Sequence, residues 1–222
     1  MFKQRVRIRF RKVGDLRWIG HRDLARTLER IFRRAELVLA TSQGYHPKPR
    51  MTFPSALPLG MEGWNEVVEI QLAQPTDLTE MVSRLNTESV EGLEFLRACV
   101  IPTSAPTPQV ASCVYRIRLD EGPYEQVRFR LAEVLAAPFW PVHRASRNAV
   151  LNLKDHLWQI SAAEGELRFR LRPSEVGGPT AREVLESLGL GNFEKDGGVI
   201  IREDVILADQ ESEALPAAFP QA

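Results

Sequence analysis

The densest group of chemically capable side chains in the 222-residue chain is Thr41-Ser42-Gln43-Gly44-Tyr45-His46-Pro47-Lys48-Pro49-Arg50-Met51. Gly44 permits close backbone approach, Tyr45 offers a ring for stacking, Gln43 and His46 bring hydrogen-bonding groups, and Lys48 and Arg50 are cations. In single-stranded nucleic acid, bases stack on aromatic rings while phosphates meet Lys and Arg, and this mixture suits that ligand. The group lies within residues 43–60, where Pro47, Pro49, Pro54 and Pro58 forbid a regular helix. An irregular segment of this length inside a domain is commonly functional. The plainer alternative is a proline-stiffened crossover in which Tyr45 and Met51 only pack.

His21 is the one catalytic candidate. It falls where a basic helix is predicted to begin, just after Gly20. The positive end of a helix dipole disfavours imidazolium, which leaves a neutral ring able to accept a proton or to bond a phosphate oxygen. A structural histidine at a helix start is the competing reading.

A third group is the series Arg5, Arg7, Arg9 and Arg11, which alternates strictly with Val6, Ile8 and Phe10 and is followed by Lys12. Period two predicts a strand with its apolar side on a core and its arginines together on the other face, about 6.6 Å apart. With Arg22 and Arg26 from the following helix, these cations form the expected nucleic-acid-binding face. Arg168, Arg170 and Arg172 repeat the pattern later in the chain. The alternative is that such arginines pair with acidic segments, each pair contributing little.

Charge supports a binding end. Lys and Arg equal Asp and Glu over the whole chain, at 29 each, yet residues 1–50 hold 14 basic against 4 acidic residues. That net +10 is offset by −10 over the remainder, an asymmetry expected of a chain whose one end meets a polyanion. Hydrophobic residues at 44% and charged residues at 26% describe an ordinary globular composition. Cys99 and Cys113 have no CxxC partner, so they are expected to be free, packed thiols in a reducing compartment. The four histidines share no metal-ligand spacing, and neither a Walker loop nor a GxSxG elbow occurs. No metal and no cofactor are therefore expected. The charged N-terminus and the lack of an apolar run near 18 residues point to a cytoplasmic protein with no membrane partner.

The elements that must position these residues follow from periodicity. A strand over 5–11 is followed by a helix from His21 whose stripe is Leu24, Leu28, Ile31, Phe32 and Ala35. Then come strand 66–72, a helix from Thr76-Asp77 through Leu85, and strand 93–101. Residues 102–109 are a proline-punctuated linker. Strand 113–119 and helix 124–136 open the second half, followed by strands 142–147, 156–161 and 166–172. Helix 179–188 and strand 199–207 close it. The fold class expected is α+β, two ferredoxin-like (βαββαβ) halves with antiparallel sheets, over 1–101 and 110–209, with a tail at 210–222.

The chain resembles the radical-SAM-linked protein family, a domain of unknown function encoded beside, or fused behind, a radical S-adenosylmethionine enzyme. The matching stretches are Arg7–Gly14, Arg17–Leu24, Arg33–Ala35, Ser42–Met51 and Ala56–Gly60, followed by Glu66. The family usually has Leu where this chain has Arg22. The resemblance is specific over residues 5–72 and implies a radical SAM enzyme as partner, without implying an activity. The three-cysteine motif of the radical enzyme itself is absent. Joined to the basic face, it yields the expectation of a non-catalytic accessory protein that binds RNA, tRNA foremost, for a radical SAM partner. Two alternatives stand beside it. One is a metal-independent endoribonuclease with His21 as general base, for which CRISPR repeat-processing endoribonucleases offer an architectural similarity only. The other is a protein–protein adaptor.

Overall fold

Residues 4–43, 45–144, 149–172 and 177–210 are described by the computed structural model. Gly44, the end of the expected strand 142–147 and the tail beyond Gln210 lie outside them. The chain divides into two units, Met1–Gln109 and Val110–Ala222. Both are mixed α+β, and the strand pairings within each are antiparallel.

In the first unit the order is β1 (Gln4–Lys12), α1 (His21–Arg34), β2 (Met51–Thr52), β3 (Glu62–Leu72), α2 (Leu78–Thr87) and β4 (Leu93–Ile101). Its sheet runs β4-β1-β3-β2. Val6, Ile8 and Phe10 of β1 join Val68 and Ile70 of β3 beneath the apolar stripes of α1 and α2. The N-cap of α2 is Asp77, whose carboxylate accepts from the Glu80 N–H at 2.9 Å.

The other face of β1 differs from expectation. Arg5, Arg7, Arg9 and Lys12 are buried, Lys12 to 1% exposure, so they form no solvent-facing stripe. The cause is acidic β3. Register sets Glu69 opposite Arg7, and its carboxylate also accepts from Arg5 Nε at 2.9 Å. Arg7 Nε reaches the second oxygen at 2.9 Å. Arg5 further donates to the carbonyls of Ala105 and Pro106, tying part of the expected linker to β1. Arg9 donates to the Asn65 carbonyl and Lys12 to that of Ile19. Arg11 is half-buried over the Trp64 ring. Five of the expected contact residues are thereby withdrawn into or against the fold.

The second unit runs β5 (Val110–Arg118), α3 (Glu121–Ala136), β6 (Pro141–Arg144), β7 (Ala149–Asn152), β8 (Leu157–Ala163), β9 (Glu166–Leu171), α4 (Ala181–Ser187) and β10 (Ile201–Leu207). Its sheet order is β10-β5-β9-β8, and β6 and β7 form a separate hairpin. Its arginine series is likewise engaged. Arg168 pairs with Glu203, and Arg170 donates to Ser112 Oγ. Arg170 and Arg172 both stack on Trp158, which is 39% exposed. The side-chain hydrogen bond to Glu166 holds the Arg116 guanidinium above its ordinary pKa. Cys113 is buried, whereas Cys99 is exposed, contrary to the expected packing of both thiols.

Candidate nucleic-acid interface

Five exposed arginines of the first unit, Arg22, Arg26, Arg30, Arg33 and Arg34, come from α1. Leu24, Leu28, Ile31 and Phe32 bury one side of this helix. At about 100° per residue, Arg22, Arg26, Arg30 and Arg33 fall within an arc of about 80°, centred directly opposite that stripe. All four are exposed. The arc rises about 16 Å along the axis from Arg22 to Arg33. Arg26 makes a weak exposed pair with Asp23 at 3.4 Å, and Arg34, off the arc, is held by Glu88. Among the described residues, Arg22, Arg30 and Arg33 have no ion-pair partner.

The chain after α1 folds back beside this arc. Glu36 takes a left-handed conformation (φ 57°), Leu37 N–H donates to the Phe32 carbonyl at 2.9 Å, and Glu36 N–H donates to that of Arg33. These bonds form a Schellman cap with Glu at the position glycine usually holds. Leu39 then bridges to Leu72, Ala40 N–H donates to the Gln71 carbonyl at 2.7 Å, and Arg50 N–H returns to the Ala40 carbonyl at 2.8 Å. The segment is therefore pinned to the end of β3. Ser42 and Lys48 close the loop, each backbone N–H donating to the other residue. Between α1 and this segment lies a cleft of about 420 Å³, lined by Arg26, Glu29, Arg30, Arg33, Leu37, Leu39, Thr41 and Pro49.

The sequence-predicted residues divide accordingly. Gln43, Tyr45, His46 and Lys48 are exposed on the loop whose base lines the cleft, and Tyr45 is fully exposed. Arg50 is exposed, within 3.4 Å of Gln71 Oε1. Arg22 and Arg26 lie on the arc, whereas β1 contributes buried structural cations. His21 sits at the first position of α1, its ring edge-on to Phe53 with centroids 4.8 Å apart. Arg30, Arg33 and Glu29 were missed as site residues. The i, i+4, i+8, i+11 spacing of Arg22, Arg26, Arg30 and Arg33 was the signal that could have found the two arginines. Among the described residues no group of three His, Cys, Asp or Glu side chains could hold a metal ion, and no helix is long and apolar enough to cross a membrane.

The fold and this surface define an α+β protein with a basic helix face flanked by an exposed aromatic loop. The chain belongs to the family described as an uncharacterized protein conserved in bacteria (DUF2344), whose model matches residues 5–183. No curated protein matches it. A solved structure of an unknown protein from Galdieria sulphuraria is similar at 12% identity, with 92% of this chain and 98% of that one covered and a TM-score of 0.28.

Proposed function

We propose that this protein is a non-catalytic accessory factor that binds RNA, with tRNA the foremost class, through the α1 arginine arc and the 41–50 loop. The observation that carries this reading is the cleft itself. Three exposed arginines stand on one wall, with the loop bearing Tyr45, His46 and Lys48 at its edge. Guanidinium groups serve the phosphates and Tyr45 serves an unstacked base, the division of labour used by single-strand binders. The radical SAM partner and the cytoplasmic setting rest on the sequence resemblance and on the charge pattern. The ferredoxin-like reading of each unit draws support from the sheet orders β4-β1-β3-β2 and β10-β5-β9-β8, the second carrying an inserted hairpin.

The test is fluorescence anisotropy with labelled tRNA and a labelled 20-nucleotide single strand between 50 and 200 mM salt. Binding is expected to weaken steeply as salt rises, through counterion release. Absence of binding to either RNA at 50 mM salt contradicts the proposal. Incubation with the same RNAs in EDTA is expected to leave them intact. Cleavage lost in His21→Ala would replace this reading with the endoribonuclease.

A further inference from the structure

We infer that the cleft beside α1 is a base-reading pocket selective for an unpaired guanine, with Glu29 as the residue that selects it. The inference rests on the RNA-binding reading above and assigns a specificity to that site. Its starting point is a carboxylate without a counter-ion in a cationic place. Glu29 lines the cleft together with Arg26, Arg30 and Arg33. It stands three residues after Arg26 and four before Arg33, the spacings at which helix ion pairs form. Nevertheless, among the described residues the Glu29 side chain makes no ion pair or hydrogen bond. The residue is half-buried where it lines the cleft.

The rest of the lining has the character of a nucleobase site. Leu37, Leu39 and Pro49 give it an apolar part, and the cleft's 420 Å³ falls within the ordinary range for small-ligand pockets. Hydrogen-bond chemistry then chooses among the bases. A carboxylate accepts two parallel hydrogen bonds only from a neighbouring pair of donors. Guanine alone offers such a pair on its Watson–Crick edge, at N1–H and the N2 amino group. Adenine and cytosine each set an acceptor nitrogen next to their amino group, and uracil flanks its one N–H with two carbonyls. Guanine also presents O6 and N7, the pair that arginine binds in bidentate fashion. Glu29 and its arginine neighbours thus complement the same base from two edges. Such a base must be unpaired, since a duplex conceals the edge that Glu29 would read.

The experiment uses the full chain and four fluorescein-labelled 12-mers, oligouridine with G, A, C or U at the central position, at fixed salt. The G-containing strand is expected to bind about tenfold tighter than the other three, within the range for one bidentate base contact. In Glu29→Gln, which loses the second acceptor oxygen and the charge, the four strands are expected to bind within about twofold of each other. Glu29→Ala serves as a second variant, and circular dichroism confirms that each remains folded. A guanine preference that persists in both variants overturns the assignment to Glu29. Salt-sensitive binding with no base preference overturns the pocket while leaving the RNA-binding reading in place. Failure to bind any of the four strands or tRNA overturns both.

Discussion

Removing the Glu69 side chain should damage the first unit far more than removing any arginine of the α1 arc. Glu69 is 3% exposed and accepts from two guanidinium groups, Arg5 with Nε and Nη2 at 2.9 and 2.6 Å and Arg7 with both Nε and Nη2 at 2.9 Å. In Glu69→Ala both buried cations lose their shared counter-charge. Breaking one buried pair in this way costs about 3–5 kcal/mol, against a total stability of about 5–15 kcal/mol for a typical protein. Arg5 retains the Ala105 and Pro106 carbonyls, so the lower half of that range, about 3–4 kcal/mol, is expected. At a denaturant sensitivity of about 2 kcal/mol per molar urea, the unfolding midpoint falls by about 1.5–2 M. Equilibrium urea unfolding followed by circular dichroism reads this directly. Arg7→Ala and the Arg7→Ala/Glu69→Ala pair complete a cycle, with strongly non-additive losses expected. A loss below 0.5 kcal/mol for Glu69→Ala, the scale of exposed pairs, would refute the buried network and return the β1 arginines to the surface.

The arc should behave in the opposite way. Arg22→Ala, Arg30→Ala and Arg33→Ala should each change stability by no more than about 0.5 kcal/mol, read by thermal melting. Combined, they should lower the slope of log affinity against log salt by about 2 for a single strand. Glu36→Gly, which places glycine at the left-handed cap position, should stabilise the protein by about 0.5–1 kcal/mol, checked by urea unfolding. Gly92→Ala should destabilise by at least about 1 kcal/mol, because φ is 81° there and the new Cβ would lie 2.5 Å from the Val13 carbonyl oxygen; a melting temperature equal to that of the unsubstituted protein would contradict this. Asp77→Ala should cost about 1 kcal/mol through loss of the α2 N-cap, visible in the same melt.

Much of the element order was legible because it is local. The Val6, Ile8, Phe10 alternation gave β1, and the 3.6-residue spacing of Leu24, Leu28 and Ile31 gave α1. What one strand cannot disclose is what covers its second face. Arg5 and Arg7 read as surface residues because their partner, Glu69, lies more than sixty positions away and meets them only through strand register. Two short elements were also missed. In β2 only Met51 and Thr52 pair with β3, too few for a period, and β7 pairs with β6 in a separate two-stranded hairpin. The candidate site was half legible. The composition of the 41–51 loop marked it, but that Arg30 and Arg33 belong beside it depends on the turn at Glu36 that carries the chain back along α1.

Whether RNA lies along the α1 arc and the 41–50 loop is read by photo-crosslinking. A 4-thiouridine-substituted strand is irradiated with the full protein, and the adducts are mapped by mass spectrometry after digestion. Adducts on peptides spanning residues 22–50, with Tyr45 foremost, are the result expected. Adducts confined to the second unit, or efficient binding with no adduct anywhere in residues 22–50, would contradict the assignment of this surface.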